Sequence, residues 1–147
     1  MTMDMGQAAT LLRSVGLRPT RQRQALARLM LARGPRHFSA EQLYDDARIA
    51  GVDVSLATIY NTLHQFNDAG LLRELVIESG RSYFDTNTSE HHHFYDEDTG
   101  SLSDIPAEAM VVNAFPDAPE GREICRVDVV VRVRSHNSSG PSRTAKD

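Results

Sequence analysis

The 147-residue chain contains one cysteine and no tryptophan. The single cysteine, Cys125, excludes an intramolecular disulfide and any zinc site built from four cysteines. No stretch approaches the roughly 18 apolar residues that a membrane span needs. The N-terminus also lacks the basic segment followed by an apolar core that marks a signal peptide. The sequence therefore predicts a cytoplasmic protein with no membrane partner.

Charge is distributed unevenly along the chain. The formal net charge is −4, yet residues 1–36 carry seven arginines and one acidic residue, a local charge of +6. Residues 81–147 carry seven basic and twelve acidic residues, a local charge of −5. A basic front is compatible with DNA binding and an acidic remainder with cation binding. Chance clustering on solvated helices would give the same distribution, so charge alone does not establish DNA binding.

The first 85 residues have the pattern of helices followed by a β-hairpin. Apolar spacing and capping residues predict helices over residues 5–15, 20–32, 40–50 and 56–69. The third begins at a capping box, Ser39-Ala-Glu-Gln42, and the fourth ends at Gly70. Strands are predicted over residues 71–77 and 81–85, joined by a turn at 78–80. This is the order of a winged helix-turn-helix, whose last helix enters the major groove of DNA.

The remaining residues follow a different pattern. Short strands are predicted over residues 92–96 and 102–104, around a turn at 98–100, and another strand over Arg126–Arg134, where charges alternate with valines. Residues 135–147 have the composition of a disordered tail. The predicted fold class is therefore α+β. It comprises a winged-helix DNA-binding domain (1–85), a small α/β metal-sensing and dimerisation domain (86–134) and the tail (135–147).

Polar side chains lie along one face of the helix predicted over residues 56–69. Thr58, Asn61, Thr62 and Gln65 are suited to base edges and phosphates. Near the start of an earlier helix, arginines at 18, 21 and 23 could clamp the DNA backbone or enter the minor groove. A solvated face on an amphipathic helix is the alternative interpretation.

Three segments resemble the DNA-binding domain of the ferric uptake regulator (Fur) family: His37–Tyr44, Ser55–Leu63 and Phe66–Leu71. The match runs almost without gaps over residues 12–104. The resemblance implies that Tyr60 and the residue after it contact bases, although helical geometry also places Tyr60 at the border of the apolar stripe. Most members have arginine after this tyrosine, and Asn61 here favours a different operator. The predicted DNA-binding set is Arg18, Thr20, Arg21, Arg23, Thr58, Tyr60 and Asn61.

The run Glu90-His-His-His-Phe94 is the sharpest chemical signal in the sequence. Side chains alternate between the faces of a strand, so His91 and His93 would share one side and His92 would point away. Two imidazoles at positions i and i+2 are a ready pair of metal ligands. Ordinary surface histidines are the alternative.

Resemblance to the family extends this pair to a regulatory site, and the spacing is similar to that of the peroxide-sensing branch. Mixed nitrogen and oxygen ligation suits Fe(II), Mn(II) or Zn(II). Occupancy of such a site would bias the relative orientation of the two domains. The predicted ligands are His37, Asp85, His91, His93 and Asp104. A second family site, for metal or haem, would use His92, Glu108 and Asp128.

The family's structural zinc site is missing from this sequence. Asp96 and Thr99 stand where members typically have Cys-x-x-Cys, and the C-terminal cysteine pair is absent. The missing cysteines, the His-His-His-Phe run and the segment Pro119–Val131 resemble the iron response regulator (Irr) branch. That resemblance implies control of iron and haem genes, with haem sensed through His91–His93. Cys125 is expected to pack in a strand.

The predicted function is a DNA-binding transcription regulator of iron and haem homeostasis, a repressor that acts as a homodimer, with a tetramer as the alternative assembly. A manganese- or peroxide-responsive repressor of the same family is the alternative function. A metalloenzyme is disfavoured because no nucleophile or acid–base motif accompanies the histidines. A metal or haem carrier is disfavoured by the winged-helix pattern. The sequence leaves open whether the ligand promotes or releases DNA binding.

Overall fold

A computed structural model describes residues 3–32, 37–78, 81–89 and 91–136 of the chain. The chain divides into two compact units, residues 1–90 and residues 91–147. The predicted domain boundary lies after residue 85. Most of the predicted tail, from residue 137 onward, falls outside the described residues.

Four α-helices lie in the described part of the first unit: α1 (Met5–Ser14), α2 (Arg21–Leu31), α3 (Ala40–Ile49) and α4 (Leu56–Asp68). Their bounds agree with the predicted helices to within about two residues, the usual uncertainty of helix ends. None of the helices in the described ranges has both the length and the apolar character needed to cross a membrane.

Capping side chains fix where these helices begin. Ser39 Oγ accepts the N–H of Gln42, whose side chain in turn accepts the N–H of Ser39. This is the predicted capping box. Ser55 caps α4 in the predicted way. After α4, Gly70 adopts a φ of 82°, which lets the N–H of Leu71 donate to the carbonyl of Phe66 and turns the chain toward the sheet.

The sheet of the first unit contains β1 (His37–Phe38), β2 (Arg73–Glu78) and β3 (Arg81–Asp85), in the order β1-β3-β2 and all antiparallel. The two hairpin strands were predicted, but β1 was not. Its register pairs His37 with Asp85 and Phe38 with Phe84. Because side chains alternate along a strand, the His37–Asp85 pair and the phenylalanine pair lie on opposite faces.

The core of the first unit lies between the helices and the phenylalanine face of the sheet. Phe38 and Phe84 are both buried, with ring centroids 6.0 Å apart. The predicted apolar stripe of α4 is buried at Ile59, Leu63 and Phe66 and partly buried at Leu56. Thr62 corrects the prediction of an exposed polar face, because only 6% of it is accessible. It adjoins Ile59 and Phe66 at i−3 and i+4, so it borders the buried stripe.

The second unit contains β4 (His92–Asp96), β5 (Leu102–Ile105), a short 3₁₀ helix (Ala107–Ala109) and β6 (Val130–Val133). The strand order is β5-β4-β6, with β4 antiparallel to β5 and parallel to β6.

Of two further predictions for the second unit, one is confirmed in part and one is wrong. The strand predicted over Arg126–Arg134 is present but shorter, at Val130–Val133, where it pairs in parallel with β4. Cys125 is exposed and lies outside a strand, so it does not pack as predicted. Alternation of valine and charge does not make a strand unless a neighbouring strand supplies hydrogen-bond partners.

Candidate metal centre and DNA-binding face

The first unit carries one half of the predicted ligand set. Pairing of β1 with β3 places the His37 Nε2 atom 3.1 Å from the Asp85 Oδ2 atom. The Asp85 side chain is only 2% exposed. Its other oxygen, Oδ1, accepts the N–H of Asn87 at 2.8 Å. The carboxylate is thus oriented from both sides, with one oxygen presented to the imidazole.

The second unit carries the other half. Asp104 Oδ1 lies 3.1 Å from the Nε2 atom of His91 and 3.4 Å from the Nε2 atom of His93. The two imidazole rings are 4.4 Å apart, and His93 is almost wholly buried. The register of β4 with β5 pairs His93 with Asp104 directly. His91 and His93 therefore share a side, as the alternation predicted.

Each half brings an imidazole nitrogen and a carboxylate oxygen within 3.1–3.4 Å of each other, so both types of donor atom lie together. Asp85 is buried beside His37, whereas Asp104 is 45% exposed beside two imidazoles, and a bound cation would offset the negative charge of either carboxylate. Nitrogen and oxygen donors suit Fe(II), Mn(II) and Zn(II). The donor set of each half therefore fits a divalent transition metal.

His92 has a different role from its neighbours. Its Nδ1 atom accepts the N–H of Val129 at 3.1 Å, which joins β4 to the chain just before β6. Asp128 accepts from Arg126 Nε at 2.8 Å, and Glu108 is exposed on the 3₁₀ helix. Within the described residues, the predicted second ligand set of His92, Glu108 and Asp128 is not gathered into one group.

A polar cavity of about 400 Å³ opens between the start of α2 and one face of α4. Five of the seven residues predicted to bind DNA line it. Arg21 is exposed on α2 but is not part of the lining, and neither is Tyr60. The lining residues are Arg18, Thr20, Gln22, Arg23, Thr58, Asn61, Thr62 and Gln65.

Comparison with known proteins identifies the family. Residues 14–116 match the model of the ferric uptake regulator family. The chain belongs to this family. Over 102 residues it is 35% identical to the peroxide-responsive repressor PerR of Staphylococcus aureus, an alignment that covers 69% of this chain and 68% of that protein.

Solved structures of Fur proteins share the fold. The ferric uptake regulator of Pseudomonas aeruginosa with manganese is 30% identical, with a TM-score of 0.66 over 88% of this chain and 98% of that one. The Vibrio cholerae ferric uptake regulator has the same TM-score at 21% identity, over 86% of this chain and 98% of that one. The predicted α+β fold, with an N-terminal DNA-binding domain, is confirmed.

Membership of the Fur family also defines the class of activity. Fur-family homologues are DNA-binding transcription regulators and not enzymes, so this chain is a metal-responsive transcription regulator. The prediction that it is not an enzyme is confirmed. Assignment to the Irr branch stays a prediction, because the relative named above is a PerR protein.

Tyr60 takes a position between the core and the polar face. Its hydroxyl donates to Glu41 Oε1 on α3 at 2.6 Å. Its ring stacks on His64 with centroids 6.5 Å apart. The hydrogen bond to Glu41, followed by partial burial, raises the pKa of Tyr60 above its ordinary value. Tyr60 was predicted at the border of the apolar stripe of α4, and its contact with Glu41 of α3 lies at that border.

We expect Tyr60 to ionise at higher pH than an ordinary tyrosine, whose pKa is about 10. Because the pKa is higher in the folded protein, the contribution of Tyr60 to stability is fully present below a pH of about 10. That contribution is lost as the pH rises through the raised pKa. The pKa of Tyr60 can be measured by following tyrosinate absorbance in the ultraviolet as pH rises and subtracting the curve of Tyr60→Phe from that of the wild type. Glu41→Gln keeps a similar side-chain shape, removes the negative charge and should return the pKa of Tyr60 toward about 10. If the difference curve is unchanged in this variant, Glu41 is not the cause of the raised pKa.

Sequence reasoning missed several contacts around the polar cavity. Gln22 contributes to its lining, and Glu41 contacts Tyr60, yet neither was predicted. Gln65 was assigned to the polar face, but its link to Arg23, 42 residues earlier, was not. A local pattern contains no signal for such pairs, since they depend on how α2 and α3 pack against α4.

Proposed function

We propose that this Fur-family regulator binds one divalent metal ion through His37, Asp85, His91, His93 and Asp104 and that the ion controls its affinity for operator DNA. The observation that carries the proposal is the convergence of His91 and His93 Nε2 atoms on one oxygen of Asp104. The His37–Asp85 pair offers the same donor types in the first unit. Only residues 86–90 separate Asp85 from His91, a connection short enough for one ion to take ligands from both units.

Such an ion would supply electrostatic attraction for two carboxylates and three imidazoles at once. Its removal would withdraw that attraction from the ligands of both units. Metal binding would therefore bias the orientation of the two units, and with it the spacing of the recognition helices in a homodimer. In each subunit, α4 and the polar cavity beside it would face the DNA.

We infer that Mn(II) or Fe(II) is the ligand. Three imidazole nitrogens and two carboxylate oxygens, without thiolate, suit these ions. The Pseudomonas aeruginosa relative contains manganese in its structure, and the Staphylococcus aureus relative is peroxide-responsive. A haem response of the Irr type would draw imidazoles from the same His91–His93 run, so haem and the divalent ion are alternative ligands of this segment.

The proposal is tested by titrating metal-free full-length protein with Mn(II), with Fe(II) under anaerobic conditions, with Zn(II) and with haemin. Fluorescence anisotropy would follow binding to duplexes selected from a random pool, and the haem absorption band would follow haemin. We expect Mn(II) or Fe(II) to change DNA affinity by about 5–150-fold, the usual range of allosteric coupling. A response to haemin alone would favour the Irr-type function, and no specific DNA under any condition would overturn the proposal.

A further inference from the structure

Arg23 and Gln65 form a fixed pair inside the polar cavity. The Nε and Nη2 atoms of Arg23 both donate to Gln65 Oε1, at 3.3 and 3.0 Å. The Nη1 atom of the same guanidinium donates to the carbonyl of Arg18 at 2.8 Å. Three nitrogens of one side chain are therefore engaged within the protein. This arrangement holds the guanidinium between the segment before α2 and the exposed face of α4.

The chemistry of the guanidinium determines which way the Gln65 amide points. Arginine has only donors, so the amide must turn its oxygen toward Arg23 and its NH₂ group away. Both N–H groups reach the amide oxygen from the same side, which keeps that oxygen turned toward Arg23. Gln65 is consequently presented to the outside as a donor.

Gln65 shares the exposed face of α4 with Asn61, one turn earlier. A free glutamine reads adenine by accepting from N6 and donating to N7, which requires both ends of the amide. Gln65 held by Arg23 has its amide oxygen turned toward the guanidinium, so it cannot present the acceptor and the donor side by side for that pair. It retains two N–H donors, which match the N7 and O6 acceptors of guanine.

We propose that Arg23 is a positioning residue for base recognition: it fixes Gln65 as a donor, so that this position of α4 reads an acceptor-only base edge, guanine first and thymine O4 second, and discriminates against adenine. The inference rests on the proposed DNA-binding function and specifies the base class that one side chain recognises. Arg23 thereby acts through Gln65 rather than as a phosphate clamp.

Selection of operators from random duplexes by the metal-loaded full-length protein tests this inference. We expect one base-pair position whose guanine or thymine preference depends on Gln65. Gln65→Glu keeps the Arg23 contact but presents an acceptor, so preference there should change by about fivefold or more toward cytosine, whose N4 is a donor. Arg23→Met frees the amide to rotate, and preference at the same position should move toward adenine.

Arg21→Met is the matched control, since Arg21 is exposed on the same helix and lies outside the cavity lining. It should weaken all sequences equally and reduce the salt dependence of binding. If Gln65→Glu leaves every base preference unchanged, or if Arg23→Met only lowers affinity uniformly, the positioning role is wrong. Arg23→Lys retains donors and should restore part of the guanine preference. Failure of the wild type to select any sequence would instead overturn the DNA-binding proposal.

Discussion

Replacing His91 and His93 together with alanine should abolish the effect of Mn(II) or Fe(II) on DNA affinity. Both Nε2 atoms converge on Asp104 Oδ1, so the double variant removes two proposed ligands and both of these contacts with the carboxylate. Loss of groups that only orient a ligand already costs about 10–100-fold in metal affinity, and loss of two ligands should cost at least that much. Isothermal titration of metal-free protein and anisotropy with selected DNA measure the two effects.

His93 is buried, so the double variant also loses packing, and a second variant separates metal binding from folding. Asp104→Asn keeps the shape of a side chain that is 45% exposed and removes its charge. It should retain the melting curve of the wild type while losing the metal response. The matched control is His92→Ala, because His92 contacts the Val129 N–H instead of Asp104. A full metal response in both the double variant and Asp104→Asn would show that the ion binds elsewhere.

Phe84→Ala should lower the free energy of unfolding by about 3–5 kcal/mol, the usual cost of truncating a buried phenylalanine. Phe84 is fully buried, stacks on Phe38 at 6.0 Å and meets the edge of His64 at 6.2 Å. Its removal leaves a cavity between the sheet and α4 that rigid backbone cannot fill. Since whole domains are stable by only about 5–15 kcal/mol, the loss should be evident in a urea melt followed by circular dichroism.

Val76→Ala in the neighbouring strand is the control for Phe84→Ala. Val76 is 69% exposed, so its truncation removes strand propensity without creating a cavity and should cost less than about 1 kcal/mol. Equal destabilisation by the two variants would contradict the assignment of Phe84 to the core. The Phe84 variant also tests whether the pairing of His37 with Asp85 depends on packing of the opposite face of the same sheet.

The helices could be predicted closely because their signals are local. Ser39 and Gln42 satisfy each other's backbone groups within one turn, and Gly70 ends α4 where a left-handed φ is needed. The shared side of His91 and His93 was equally predictable, since it follows from strand alternation alone. Each of these features depends on residues no more than a few positions apart.

Strand pairing was less predictable. The two-residue strand β1 has no recognisable period, yet its pairing with β3 decides that His37 lies beside Asp85. In the second unit, the valine-rich segment reads as one long strand, but only Val130–Val133 finds a partner in β4. Whether a segment becomes a strand depends on which distant segment satisfies its backbone donors and acceptors.

By itself the sequence determined the order of the helices, the wing and the types of donor atoms in the candidate metal centre, because periodicity, capping residues and ligand chemistry can be recognised in short stretches of sequence. Tertiary structure alone decided which atoms of those donors meet. It paired His37 with Asp85, turned His92 away to Val129 and joined Arg23 to Gln65. These contacts depend on long-range packing and register, which local patterns do not encode.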